Sequence, residues 1–242
     1  MPPAEMEQRL SQVRSSTERL VKALYGLDWP AEVLRGPSLL PGWSRAHVLT
    51  HLARNADGIW RVTEGASRGE SALMYPGGEP ARDAAIEAGA GRDAAQLLAD
   101  VRDTADRLDQ TWAQLPDTGW EVEGITRTGR STTRALVASR WREVEIHWMD
   151  LAIGYGPADW PAAFVAPLLP SLADPDRLGP RLPAGTAVEL EATDSGARWT
   201  AGSGAPVLVR GPSWALTAWL IGRPGAVSDV LTDPPALGTW LS

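Results

Sequence analysis

The chain has 242 residues, enough for one large domain or two smaller ones with a buried core. Its 23 basic and 30 acidic residues leave a net charge of −7 with no basic run, which argues against a nucleic-acid footprint. With no cysteine, disulfides, thiolate metal ligands and a cysteine nucleophile are excluded, so any thiol chemistry needs sulfur from outside the chain.

No apolar run approaches the ~18 residues of a membrane span, and the stretch Met1 to Arg9 lacks a basic region followed by an apolar one. A cytoplasmic protein with no membrane partner is expected. Lys22 is the only lysine against 22 arginines and Asn55 the only asparagine, a bias typical of a GC-rich genome. The twelve tryptophans are scattered, so core and interface packing is expected for most of them.

Residues 4–26 repeat apolar positions at Met6, Leu10, Val13, Leu20, Val21 and Leu24, which predicts an amphipathic helix with a polar gap at Ser15, Ser16 and Thr17. After the loop ending Leu40-Pro-Gly-Trp43, Ser44 is a good N-cap for a helix over about 44–66 with a stripe of Val48, Leu52, Ile59 and Val62. His47 and His51 lie one turn apart on it. His51 borders the apolar stripe while His47 lies roughly 110° from its centre, so His51 is the one expected to face the interior, with Asn55 on its side.

Gly65 to Pro80 is rich in Gly, Ser and Pro and predicts a loop long enough to be functional. A third helix, interrupted near Gly89 to Gly91, is expected to run to about Leu115 through Leu97, Val101, Leu108 and Trp112. Residues 119–130 read as extended and able to pair as a hairpin, and Ser131 is expected to open a fourth helix that fades at Gly154. Four long helices predict a bundle over 1–158. Beyond it the character changes. A helix over about 161–173 precedes an alternating strand at 186–193, further strands at Trp199 and 207–209, and a helix over 212–222 closed by Gly222, which makes 159–242 a small α+β domain.

The fourth helix carries Glu143 and His147 four residues apart, and therefore on one face, with Asp150 joining them. Glu145 points elsewhere, and Val137, Trp141, Val144, Trp148 and Leu151 form an apolar stripe about a quarter turn away. A packing face beside a narrow face of carboxylates and an imidazole is how a metal or proton-transfer site is built inside a bundle. An ordinary hydrogen-bonded Glu–His pair has the same spacing, and a second helix must decide between them.

Leu40-Pro-Gly-Trp-Ser-Arg-Ala-His-Val-Leu-Thr-His-Leu-Ala-Arg-Asn55, Ser139-Arg-Trp-Arg-Glu-Val-Glu-Ile-His-Trp-Met-Asp-Leu151 and Leu220-Ile-Gly-Arg-Pro-Gly225 resemble the mycothiol-dependent maleylpyruvate isomerase family. The resemblance spans nearly the whole chain, with 65–130 the least matched part. It implies a two-domain protein, an all-α DinB-like four-helix bundle followed by a small α+β domain resembling sterol carrier proteins. It places the family's metal ligands on His51, Glu143 and His147 and its essential arginine on Arg223. A site of two imidazoles and one carboxylate leaves a coordination position open, as catalytic zinc requires. Asp150 is expected either to orient His147, to meet the cofactor or to form an ordinary ion pair; Asn55 is a further cofactor-side candidate. His47 is expected to be a surface or capping histidine.

The activity so implied is conversion of maleylpyruvate to fumarylpyruvate in gentisate degradation, with a divalent metal (zinc by its ligands) and mycothiol as cofactors. A metal-activated thiolate adds to the alkene, the single bond rotates, and the thiolate leaves. Arg223 would meet the carboxylates and the enolate charge. Two alternatives remain at this level: a mycothiol S-transferase acting on another electrophile, and a non-catalytic, metal-stabilised binding protein.

Overall fold

A computed structural model of the chain describes residues 4–223 and 234–238; Pro224 and Gly225 of the carboxy-terminal motif, and Met1 to Pro3, lie outside the described residues. The chain divides into two compact units, Met1–Ile153 and Gly154–Ser242. The division falls a few residues ahead of the expected boundary at 158.

The first unit is built on α1 (Ala4–Tyr25), the short α2 (Ala31–Arg35), α3 (Arg45–Ser67), α4 (Gly78–Ala90), α5 (Ala94–Gln114), the hairpin β1 (Glu123–Thr126) and β2 (Gly129–Thr132), and α6 (Thr133–Asp150). The long helices pack in pairs, α3 on α5 and α6, α1 on α6 and α5. Their apolar stripes meet in one core of Leu20, Leu49, Leu52, Ile59, Leu97, Leu108, Val137 and Val144, all buried. Trp112, Trp120, Trp141 and Trp148 are buried in this unit as well.

Local chemistry sets the helix ends. Ser44 Oγ accepts from His47 N while His47 Nδ1 accepts from Ser44 N, closing the first turn of α3. The interrupted third helix is two helices: the chain halts at Gly91, and Asp93 restarts it by accepting from Gln96 N at 2.8 Å. The fourth helix opens two residues later than expected. Ser131 is paired with Gly124 in the hairpin, and Thr132 is the residue that caps α6. The extended reading of 119–130 holds only from Glu123, because Asp117–Glu121 coils into a 3-10 turn that buries Trp120. The loop after α3 is partly ordered by the sheet: Ile125 N donates to Ala72 O and Met74 N to Ile125 O, both at 2.9 Å.

The polar gap in α1 is filled from inside. Ser16 is buried, donates to Glu145 and accepts from Trp141 Nε1, so the carboxylate that the helical wheel turns away from His147 is spent on α1. One link between α3 and α6 is Arg140. Its guanidinium is 2% exposed and donates to Leu52 O and Asn55 Oδ1, both at 2.8 Å.

The second unit contains α7 (Ala162–Ala173), the short α8 (Pro175–Leu178), β3 (Ala187–Ala192), β4 (Arg198–Gly202), β5 (Pro206–Gly211) and α9 (Ser213–Leu220). The sheet runs β4-β3-β5, antiparallel on one side of β3 and parallel on the other. Val188, Leu190 and Ala192 are buried, while Glu189 and Glu191 on the other face pair with Arg198, and Glu191 also with Arg210. The alternation in the sequence thus becomes an apolar face and a charged one. Trp160 and Trp219 are buried here.

Arg140→Ala should lower stability by at least about 1–3 kcal/mol, because Asn55 Oδ1 loses a buried donor and Leu52 O one of its donors, with lost packing adding to that. Urea denaturation of the metal-free protein measures it, and an unchanged midpoint would show that this link does not hold α3 against α6.

Candidate metal centre

α3 and α6 pack against each other and bring His51, Glu143 and His147 together across 92 residues of chain. His51 Nε2 lies 2.8 Å from Glu143 Oε2, and His147 Nε2 lies 3.2 Å from the same oxygen. The two imidazoles meet edge to face with centroids 4.5 Å apart. Each residue offers one ligand atom, and all three atoms fall within 4.8 Å of one another. Zinc–nitrogen and zinc–oxygen bonds of about 2.0–2.2 Å separate tetrahedral ligands by about 3.3 Å. The set therefore fits a divalent cation without moving a helix. Among the described residues no other His, Asp or Glu group of this kind occurs. His51 is buried, while Glu143 and His147 keep some exposure, so the centre is reachable from one side.

The neighbours tune the set. Asp150, fully buried, places Oδ2 2.9 Å from His147 Nδ1, which fixes a proton on Nδ1 and turns Nε2 towards the centre. His47 is committed to Ser44 through Nδ1 and to Glu87 through Nε2, at 3.1 Å. Trp43 stands over His51 with centroids 5.5 Å apart. Asn55 is buried with its carbonyl oxygen on Arg140, so that oxygen is already engaged.

Protonation splits the two imidazoles. Burial and the charge of His147 push His51 down to about 4 against the pull of Glu143. Burial works to lower His147 too, but its hydrogen bonds to Asp150 and Glu143 outweigh that and hold it up at about 9. Glu143 is kept well below the usual carboxylate range, although burial opposes this, by the charges and hydrogen bonds of both histidines. At neutral pH without a cation, the centre is a neutral His51, an ionised Glu143 and a protonated His147.

In the second unit Gly222 takes φ +79° where α9 ends, a conformation that suits glycine. Arg223 follows, with its backbone N on Ala218 O at 2.9 Å and Nη1 on Ile221 O at 2.8 Å.

Sequence reasoning missed Arg140, Arg82 and Tyr75. Arg140 had a signal, since it precedes Glu143 by three positions on one helix face. Arg82 and Tyr75 had none, because they come from other segments. Arg82 Nη2 is 3.1 Å from His51 Nδ1, and Arg82 Cζ lies 5.8 Å from the centre of the Tyr75 ring.

Fold and site together define a helix-rich, two-unit protein whose first unit carries a three-ligand candidate metal centre between paired helices. Residues 3–152 match the family model described as the mycothiol maleylpyruvate isomerase N-terminal domain, and the chain belongs to that family. Solved structures similar over nearly the full length are the crystal structure of the mycothiol-dependent maleylpyruvate isomerase (TM-score 0.84) and that of a histidine-to-alanine mutant of it (TM-score 0.85). Each is 25% identical in sequence, with 97% of both chains covered. No curated protein sequence matches the chain.

Two outcomes are expected from zinc titration of the metal-free protein. Uptake at pH 7 should release about one proton, because a cation on Nε2 displaces the one that His147 binds up to about 9. Apparent affinity should rise about tenfold per pH unit from pH 7 towards 9 and then level off. Calorimetry in buffers of different ionisation enthalpy reads the proton. Asp150→Asn should weaken zinc about 10–100-fold in chelator competition, since the amide no longer holds the imidazole by charge.

Proposed function

We propose that the protein is a metal- and mycothiol-dependent isomerase that converts maleylpyruvate to fumarylpyruvate, a step of gentisate degradation. The observation that carries this reading is the convergence of His51 Nε2, Glu143 Oε2 and His147 Nε2 on one point. Family membership and the likeness to solved maleylpyruvate isomerase structures support it. The pairing of four long helices supports reading the first unit as a DinB-like bundle, and the three-stranded sheet with its helices supports a sterol-carrier-like second domain.

His51, Glu143 and His147 would hold the cation, and two nitrogens with one oxygen suit zinc. When bound, the metal supplies a Lewis acid that keeps the mycothiol sulfur deprotonated at neutral pH, and the thiolate supplies a nucleophile for reversible addition to the cis double bond, which rotates while it is single. The protein's own side chains do the rest. Asp150 keeps the proton on Nδ1 of His147. Glu143 would bring the one negative charge of the set, which would temper a bound cation and leave its thiolate nucleophilic. Arg223 is assigned to a substrate carboxylate and to the oxygen on which charge gathers as the double bond opens, since a guanidinium stays charged and binds oxyanions through paired hydrogen bonds. A chain without cysteine that uses thiol chemistry takes its sulfur from a small thiol, and a reduced thiol supports a cytoplasmic location. Among the described residues no helix is long and apolar enough to cross a membrane.

The test is turnover of maleylpyruvate by zinc-loaded protein with and without mycothiol, following absorbance and free thiol together. Isomerisation that needs mycothiol and returns it is the expected result. Thiol consumed without isomerisation would move the assignment to S-transfer. Failure to bind metal at all would overturn the reading of the centre. Arg223→Ala should lower kcat/KM about 10²–10³-fold while zinc affinity stays within about twofold.

A further inference from the structure

The two histidines of the centre have opposite outer neighbours. His147 Nδ1 faces a carboxylate, the acceptor that a metal-ligating imidazole needs. His51 Nδ1 faces Arg82 Nη2 at 3.1 Å, and a guanidinium can only donate. In that contact Nδ1 is the lone-pair nitrogen, so the proton of the neutral ring sits on Nε2 and is donated to Glu143 Oε2 at 2.8 Å. A cation on Nε2 reverses this. The ring proton must then occupy Nδ1, and two N–H groups would meet head on. Arg82 has to leave His51 when the metal binds.

Its surroundings say what it turns to. The Arg82 side chain is only 17% exposed, and its one ion pair among the described residues is with the neighbouring, exposed Asp83. Beside it stands Tyr75, whose ring packs over Gly58, so close that a Cβ there would lie 3.1 Å from Tyr75 Cε1. Gly58 lies on the same face of α3 as His51 and Asn55, about two turns further along. Burial pushes the Tyr75 pKa up against the pull of Arg82 and Asn55 nearby, so the phenol keeps its own proton as a donor. Arg140, through Asn55 Oδ1, fixes which way the amide points. A half-buried guanidinium and a neutral phenol thus flank the metal centre with N–H and O–H groups that suit an anion.

We propose that Arg82, with Tyr75 beside it, binds a carboxylate of the organic-acid substrate next to the metal centre, releasing His51 to do so when the metal is bound. The proposal rests on the metal-dependent reading above and adds a carboxylate receptor from the first unit. Paired guanidinium N–H groups match the two oxygens of a carboxylate, and the phenol supplies a third donor.

The test compares zinc-loaded wild type with Arg82→Gln, Arg82→Lys and Tyr75→Phe at equal metal content. Zinc affinity is read by competition with a chromophoric chelator, binding of maleate by calorimetry with acetate as control, and KM and kcat for maleylpyruvate at saturating mycothiol. In Arg82→Gln, maleate affinity should fall, and KM should rise, at least about tenfold, while zinc binds as tightly as in wild type or up to about tenfold more tightly. Arg82→Lys, which keeps the charge and guards against a folding defect, should lose about threefold to tenfold, and Tyr75→Phe a similar amount. Unchanged maleate binding in Arg82→Gln, weaker zinc binding, or a rise in the KM for mycothiol in place of that for the acid would each overturn the proposal. If wild type does not isomerise maleylpyruvate, the functional reading fails, and maleate binding still decides the role of Arg82.

Discussion

The contact of α3 with α6 is the constraint on which the site depends. One candidate ligand comes from α3 and two from α6, so the cluster exists only while the two helices keep their register. Arg140 guards that register from inside the core, one turn before Glu143, by donating to the backbone and side chain of the helix opposite. Removing a guanidinium from water is costly, and burial lowers its pKa to about 10. Such a group is kept where its directional hydrogen bonds fix a geometry that apolar packing would leave free to slide. On the other side of α6, Glu145 with Ser16 and Trp141 does the same against α1. The face carrying Glu143 and His147 therefore projects from a helix pinned on both flanks.

Within that frame two residues of one type are driven apart. His51, on the buried side, loses its proton readily because burial and a neighbouring cation both oppose charge. His147, four residues after Glu143 and three before Asp150, keeps its proton because two carboxylates outweigh burial. The resulting metal-free centre holds one proton more, on His147, than it would keep with a cation in place, at a position already shaped for positive charge. A cation bound there would compete with that proton, which would tie its occupancy to pH. The neighbours differ in kind as well. Asp150 favours the tautomer that metal binding would need on His147, whereas Arg82 favours the opposite one on His51, so under the proposal above Arg82 is the group that would move when a cation binds.

Sequence by itself determined much of the first unit's interior and of the candidate set. Helical periodicity placed Glu143, His147 and Asp150 on one face, and it preferred His51 over His47. The alternation of 186–193 likewise announced β3 and which of its residues would be charged. Each of these follows from local geometry, since 3.6 residues per turn and a two-residue pleat tell which side chains share a face. The break between α4 and α5 and the late start of α6 were legible only in part. Capping at Asp93 and Thr132 is chemistry of single side chains, and it competes with hairpin pairing that periodicity does not register. Only tertiary structure decided that α3 and α6 are the helices that meet, that Arg140 lies between them, that Glu145 is bonded to Ser16 of α1, and that Arg82 and Tyr75 arrive from other segments. The physical reason is that a helical wheel shows which residues face inward and says nothing about what faces them; that depends on how several apolar stripes fill one core at once.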